Sequence, residues 1–163
     1  MDSTVNPTAT ICHDDPAIGD SERLWRLVGT VADPAVPGGM RPESGSLRDE
    51  RMSVNRAKLS TLEETLSLQP DREIAEFTAA SVRELGLRVY ADPCYVCRRC
   101  GRHLGGEPMT CPGCNSDERI YHNRAHAIVC PAMSRSDARK FAKEKTELVE
   151  ITREARESAR RLQ

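Results

Sequence analysis

The chain has 163 residues, 38% of them hydrophobic and 30% charged, with a formal net charge of −1. This length fits one domain, or one domain with a small appendage, and the near-neutral charge carries no global nucleic-acid signature. No apolar run reaches membrane length and no charged-then-apolar leader is present, which predicts a cytoplasmic protein without a membrane partner. With two Phe, one Trp and three Tyr, the core must be mostly aliphatic.

Residues 1–20 carry Asp2, Asp14, Asp15 and Asp20 without a Lys or Arg, and read as a flexible acidic tail. Cys12 and His13 within it read as bystanders rather than spare metal ligands. The first part of the organised domain spans 21–93. Leu24–Val28 is rich in strand formers, residues 33–50 form a long loop with three prolines and three glycines, and Met52–Val54 reads as a short strand. Ser60-Thr-Leu-Glu63 has capping-box spacing and predicts a helix to about Leu68. Pro70 and Asp71 open a second predicted helix, in which Ile74, Phe77, Val82 and Leu85 recur at helical spacing and Gly86 ends it. Leu87–Tyr90 reads as a strand.

Residues 94–121 form a separate excursion, and 122–163 supply a returning strand at His126–Cys130 and one long C-terminal helix. Ser134 is the expected N-cap of that helix. Phe141, Leu148, Ile151, Ala155, Ala159 and Leu162 make a narrow apolar stripe along it. Such a stripe predicts final turns that project into solvent or meet a partner helix. The predicted class is α+β: a small sheet with helices, an inserted metal ribbon and a long C-terminal helix.

The excursion holds the most specific pattern in the chain. Cys97-Arg-Arg-Cys100-Gly101 and Cys111-Pro-Gly-Cys114 are two Cys-x-x-Cys pairs, ten residues apart between Cys100 and Cys111. Each pair can place two thiolates on a tight turn, and two turns face to face give the tetrahedral sulfur set that suits Zn²⁺. Gly101 and Gly113 can supply the positive φ such turns need. A redox pair would need only one Cys-x-x-Cys opening a helix, disulfides sit poorly with seven cysteines, and iron shares the four-thiolate preference. Cys94 lies three residues before Cys97, so a knuckle of Cys94 and Cys97 is the alternative register. His122, His126 and Cys130 have i, i+4, i+8 spacing, but the strand pattern at 127–130 breaks that alignment. These three read as ordinary structural residues.

The stretch Tyr95–Cys114 resembles a rubredoxin-like zinc ribbon. That resemblance implies one structural Zn²⁺ on Cys97, Cys100, Cys111 and Cys114, a closed site with no position left for substrate. A second resemblance rests on Arg41-Pro-Glu-Ser44, Met52-Ser-Val54 and His126-Ala-Ile-Val129. Together these look like a group of small uncharacterised bacterial proteins, with Leu47 where Phe is expected and Met52 in place of Leu. It implies a shared domain with the ribbon inserted between two of its strands.

Three functions follow as expectations. The first is a non-catalytic zinc-binding module that docks a protein partner as an accessory subunit of a larger assembly. The second is a nucleic-acid-associated factor whose knuckle arginines, Arg98, Arg99 and Arg102, meet phosphates. The third is a small enzyme acting on a phosphate- or nucleotide-containing substrate, with Arg41 holding the anion and Ser53 and His126 doing chemistry. It requires those side chains to converge in one pocket.

Overall fold

In the computed structural model, residues 12–115, 117 and 119–163 are described. In chain order their strands are β1 (Arg23–Val28), β2 (Thr30–Ala32), β3 (Met40–Pro42), β4 (Met52–Arg56), β5 (Glu73–Thr78), β6 (Arg88–Ala91), β7 (Cys94–Cys97), β8 (His103–Gly105), β9 (Ile120–Asn123), β10 (His126–Cys130) and β11 (Glu147–Leu148). Their helices are α1 (Leu62–Leu66), α2 (Ala79–Arg83), α3 (Arg135–Glu144) and α4 (Arg153–Leu162). The class is α+β.

Six strands form one antiparallel sheet in the order β11-β5-β1-β4-β10-β6. Strand alternation sends side chains to two faces, and both are covered. On one face Leu24, Val28, Val54, Phe77 and Val129 pack with Phe141 of α3. The Phe77 and Phe141 rings meet edge to face, with centroids 5.2 Å apart. On the other face Ile74, Trp25 and Leu27 meet Leu62 and Leu66 of α1 and Ala159 of α4.

This double burial explains why 74–85 does not form the expected helix. Ile74 and Phe77 lie on β5 and enter different core clusters, one on each face of the sheet. A short apolar run buried on both sides has no alternation to distinguish it from a helix. Only after Thr78, whose hydroxyl accepts from Ser81 N at 3.2 Å, does α2 begin.

The expected single C-terminal helix is also corrected. Ser134 caps α3 as predicted, its hydroxyl accepting from Asp137 N at 3.0 Å. The helix ends at Glu144, however, and Glu147–Leu148 pairs with β5 as an edge strand. Thr146, Val149, Ile151 and Thr152 are β-branched and disfavour helix. Leu148 packs against the first core while Val149 and Ile151 pack against the second, which uses the alternation of a strand. Thr152 then caps α4. The apolar side of α4 does not await a partner helix: Ala155 and Ala159 are buried, and α4 packs on α1. Arg156 fixes it by donating to the carbonyls of Pro70 (2.8 Å) and Arg72 (2.7 Å) and pairing with Glu73.

From Cys12 onward the acidic stretch is docked rather than free. Asp14 accepts from Val89 N and from Arg83, Asp20 pairs with Arg83 at 2.7 Å, and Ile18 is fully buried. Residues 1–11 of the expected tail lie outside the described residues. Cys12 is no bystander and Cys130 no free core thiol, because the two form a disulfide. At the α1 start the cap is Thr61 with Glu64, one residue later than predicted.

Candidate metal centre

β7, β8 and β9 form a separate three-stranded sheet in the order β8-β7-β9, between the neighbouring strands β6 and β10 in sequence. The first turn of this ribbon follows β7. Gly101 takes φ 72°, and its N–H donates to Cys97 O at 2.7 Å. The second turn repeats the pattern: Asn115 N donates to Cys111 O at 2.8 Å. Here the positive φ belongs to Asn115, at 51°, and not to Gly113 as the sequence suggests. Asn tolerates the left-handed region better than most residues with a side chain.

The two turns bring Cys97, Cys100, Cys111 and Cys114 together, with all four sulfurs within 4.8 Å of one another. Cys97 and Cys114 sulfurs are 3.5 Å apart, and Cys100 and Cys111 sulfurs 3.4 Å. A disulfide needs about 2.05 Å. A tetrahedron with Zn–S near 2.3 Å has edges of about 3.8 Å, so these spacings fit a shared metal ion. Burial pushes the Cys111 thiol up, but N–H groups of Cys114 and Gly113 and the neighbouring thiols outweigh it and bring it down to about 6. An ionised sulfur is what a metal requires. The alternative register through Cys94 fails on strand geometry, because three residues along β7 reverse the side-chain direction.

That reversal sends Cys94 to a second cluster. Val96, on the same face as Cys94, sits opposite His103 of β8, which brings His103 Nδ1 to 3.5 Å from the Cys94 sulfur. His126 joins from β10, and the ligand atoms of Cys94, His103 and His126 all lie within 4.8 Å of one another. His126 Nδ1 is 2.7 Å from Asp92 O and 3.2 Å from the Asp92 carboxylate. Burial disfavours the His126 imidazolium, yet Asp92 and Cys94 outweigh it and push its pKa up to about 9. His122, by contrast, faces away with its partner Tyr95 and stacks on it at 4.6 Å.

A cavity of ≈ 550 Å³ opens beside this cluster, lined by Arg26, Ser53, Asn55, Arg72, His103 and His126 among others, with Cys100 and Gly101 of the ribbon at its wall. Its origin is a gap in the sheet. β1 and β4 pair only at Leu24–Arg56 and Trp25–Asn55. Beyond them Arg26 donates to the carbonyls of Ser53 (3.0 Å) and Ser46 (3.1 Å) and pairs with Asp49. Part of the lining is a satisfied buried network, in which Asn123 donates to Asn55 and Asn55 to Thr65.

The expected enzyme set does not assemble as proposed. Ser53 and His126 line the cavity, but Arg41 sits on β3 opposite Val31 and is not part of the lining. Arg26 and Arg72 stand in the cavity instead, and nothing in their local sequence marks them. Of the knuckle arginines, Arg98 lies over the Tyr121 ring at 3.9 Å, whereas Arg99 and Arg102 are exposed. Among the described residues, no helix is long and apolar enough to cross a membrane. The chain matches no protein-family model, no curated protein and no solved structure. The resemblances to a rubredoxin-like ribbon and to small bacterial proteins therefore rest on the chain's own motifs.

Proposed function

We propose that this is a zinc protein in which one structural Zn²⁺, on Cys97, Cys100, Cys111 and Cys114, folds a ribbon that walls a polar ligand-binding cavity. The observation that carries this reading is the shared lining: Cys100, Gly101 and His103 of the ribbon face the same cavity as Arg26, Asn55 and His126 of the main sheet. The ribbon contributes few apolar side chains, so metal-binding free energy takes the place of a hydrophobic core there. A cavity of ≈ 550 Å³ falls in the ordinary size range for small-molecule sites. Four ribbon cysteines clustered for a metal rather than joined in disulfides support a reducing, cytoplasmic location.

Docking of a protein partner is the second reading, supported by the β2–β3 hairpin. Val31, Val36 and Met40 are 39%, 53% and 51% exposed there. Nucleic-acid contact through Arg99 and Arg102 is a third, supported only by their exposure on the first knuckle. Native mass spectrometry after mild purification from the host, with and without nuclease, separates the three. Bound zinc with a retained small molecule, the latter lost in Asn55→Leu, supports the cavity reading. A stoichiometric protein that survives nuclease, with the cavity empty, replaces it with docking. A nucleic acid released by nuclease promotes the arginines.

A further inference from the structure

We infer that Cys94, His103 and His126 form a second metal site, of the open kind, whose fourth coordination position faces the cavity. The inference rests on the metal-folded ribbon, because β7 and β8 of that ribbon place Cys94 and His103.

Three observations converge on it. The first is ligand chemistry and spacing. One thiol and two imidazoles lie within 4.8 Å of one another, and the Cys94–His103 separation of 3.5 Å fits a tetrahedral edge. With Zn–S near 2.3 Å and Zn–N near 2.0–2.1 Å, that edge is about 3.5–3.6 Å. The second is an orphaned atom. His126 Nε2 is buried and has no hydrogen-bond partner, in a side chain only 4% exposed. Buried polar groups are normally paired, and apart from Asp92 the Cys94 thiol is the group that acts on this ring, so a metal ion shared with that sulfur would complete it. The third is orientation: Asp92 engages Nδ1 of the same ring, leaving Nε2 as the ligand atom. A carboxylate or carbonyl holding the far nitrogen is the usual support for a metal-ligating histidine.

Cys94 acting instead as a nucleophile fits less well. It is 4% exposed and does not line the cavity, so no substrate reaches its sulfur. His103 and His126 do line it. A metal held by all three therefore has protein behind it and the cavity in front. Three protein ligands with one free position is the arrangement of catalytic zinc, which would there take an anionic ligand atom, or a water whose pKa it would lower. The ribbon site is saturated by four thiolates and has no such capacity. The class of ion is zinc-like: a mixed nitrogen and sulfur donor set of low coordination number favours Zn²⁺ over Mg²⁺ or Ca²⁺.

The test uses the full-length chain loaded with Co²⁺ in place of Zn²⁺, followed by visible absorption and metal analysis. Two ions per chain are expected. One should give the strong thiolate bands of a four-sulfur site and the other the weaker thiolate band of a single sulfur. His103→Ala and Cys94→Ala should each lose one ion and leave the four-sulfur spectrum unchanged. His103 is exposed, so its replacement leaves the fold intact. Azide should shift the bands of the second ion alone, since only that ion has a free position. A single ion with a four-sulfur spectrum overturns the inference while the ribbon reading stands. Two ions retained in both variants overturn it as well, and an azide-insensitive second ion overturns the open position. A wild type without the four-sulfur spectrum overturns the ribbon reading and, with it, this inference.

Discussion

Cys94 and Cys97 are three residues apart on β7 and belong to different clusters: the Cys97 sulfur faces Cys114 at 3.5 Å, and the Cys94 sulfur faces His103 at 3.5 Å on the other side of the strand. An offset of three residues along a strand puts two thiols on opposite faces, as it would not along a helix. The ribbon therefore has a four-cysteine side and a domain-facing side, and the second is coupled to the main sheet through His126.

Cys111→Ser should remove the ribbon metal. The expected result is loss of the ribbon Zn²⁺, together with any ion held by Cys94 and His103 of the same segment, and fast amide exchange across 94–123, with protection of β1, β4 and β5 retained. Their core contacts do not include the ribbon. Unchanged metal content and unchanged exchange in that variant would refute the ligand assignment.

The Phe77–Phe141 contact joins the sheet to α3. Phe141 is 1% exposed, so Phe141→Ala should cost about 3–5 kcal/mol by urea denaturation. A loss below about 1 kcal/mol would mean that α3 does not cover this face.

Arg156 ties α4 to the loop before β5 through two carbonyls and Glu73. Arg156→Met keeps the stem and deletes these bonds, and should cost about 1.5–3 kcal/mol. Stability equal to wild type in the same urea titration would instead leave α4 as the free helix its stripe suggests.

Glu22 is expected to shape the acid limb of stability. Burial raises its pKa, but Arg56 and Lys58 outweigh that and hold the carboxyl below its ordinary value of 4.5. The folded pKa is thus the lower one, and the unfolded chain binds the proton more readily. Its contribution is complete above the unfolded pKa and is lost as pH falls through the folded one. Glu22→Gln should flatten the fall in melting temperature below pH 4.5 relative to wild type. Parallel curves for the two proteins would remove Glu22 from the acid transition.

Local signals were legible where one residue type does a local job. The strands at 24–28, 52–54, 87–90 and 126–130, the Ser134 cap and the two Cys-x-x-Cys turns all rest on neighbours in the chain. Spacing alone picked out the four ribbon cysteines, because a turn that presents two sulfurs is built within five residues. Double burial of β5 and the edge pairing of Glu147–Leu148 were not legible, since each depends on which partner covers the segment.

What the sequence by itself determined is the α+β class and the four-cysteine cluster, both consequences of short-range pattern. What only the tertiary structure decided is which residues share the cavity. Arg26, Asn55, His103 and His126 come from different strands, and no spacing rule relates them. The gap between β1 and β4, the reversal of Cys94 along β7 and the return of β10 beside β4 bring them together. Those are properties of strand order and register, which exist only once distant segments have paired.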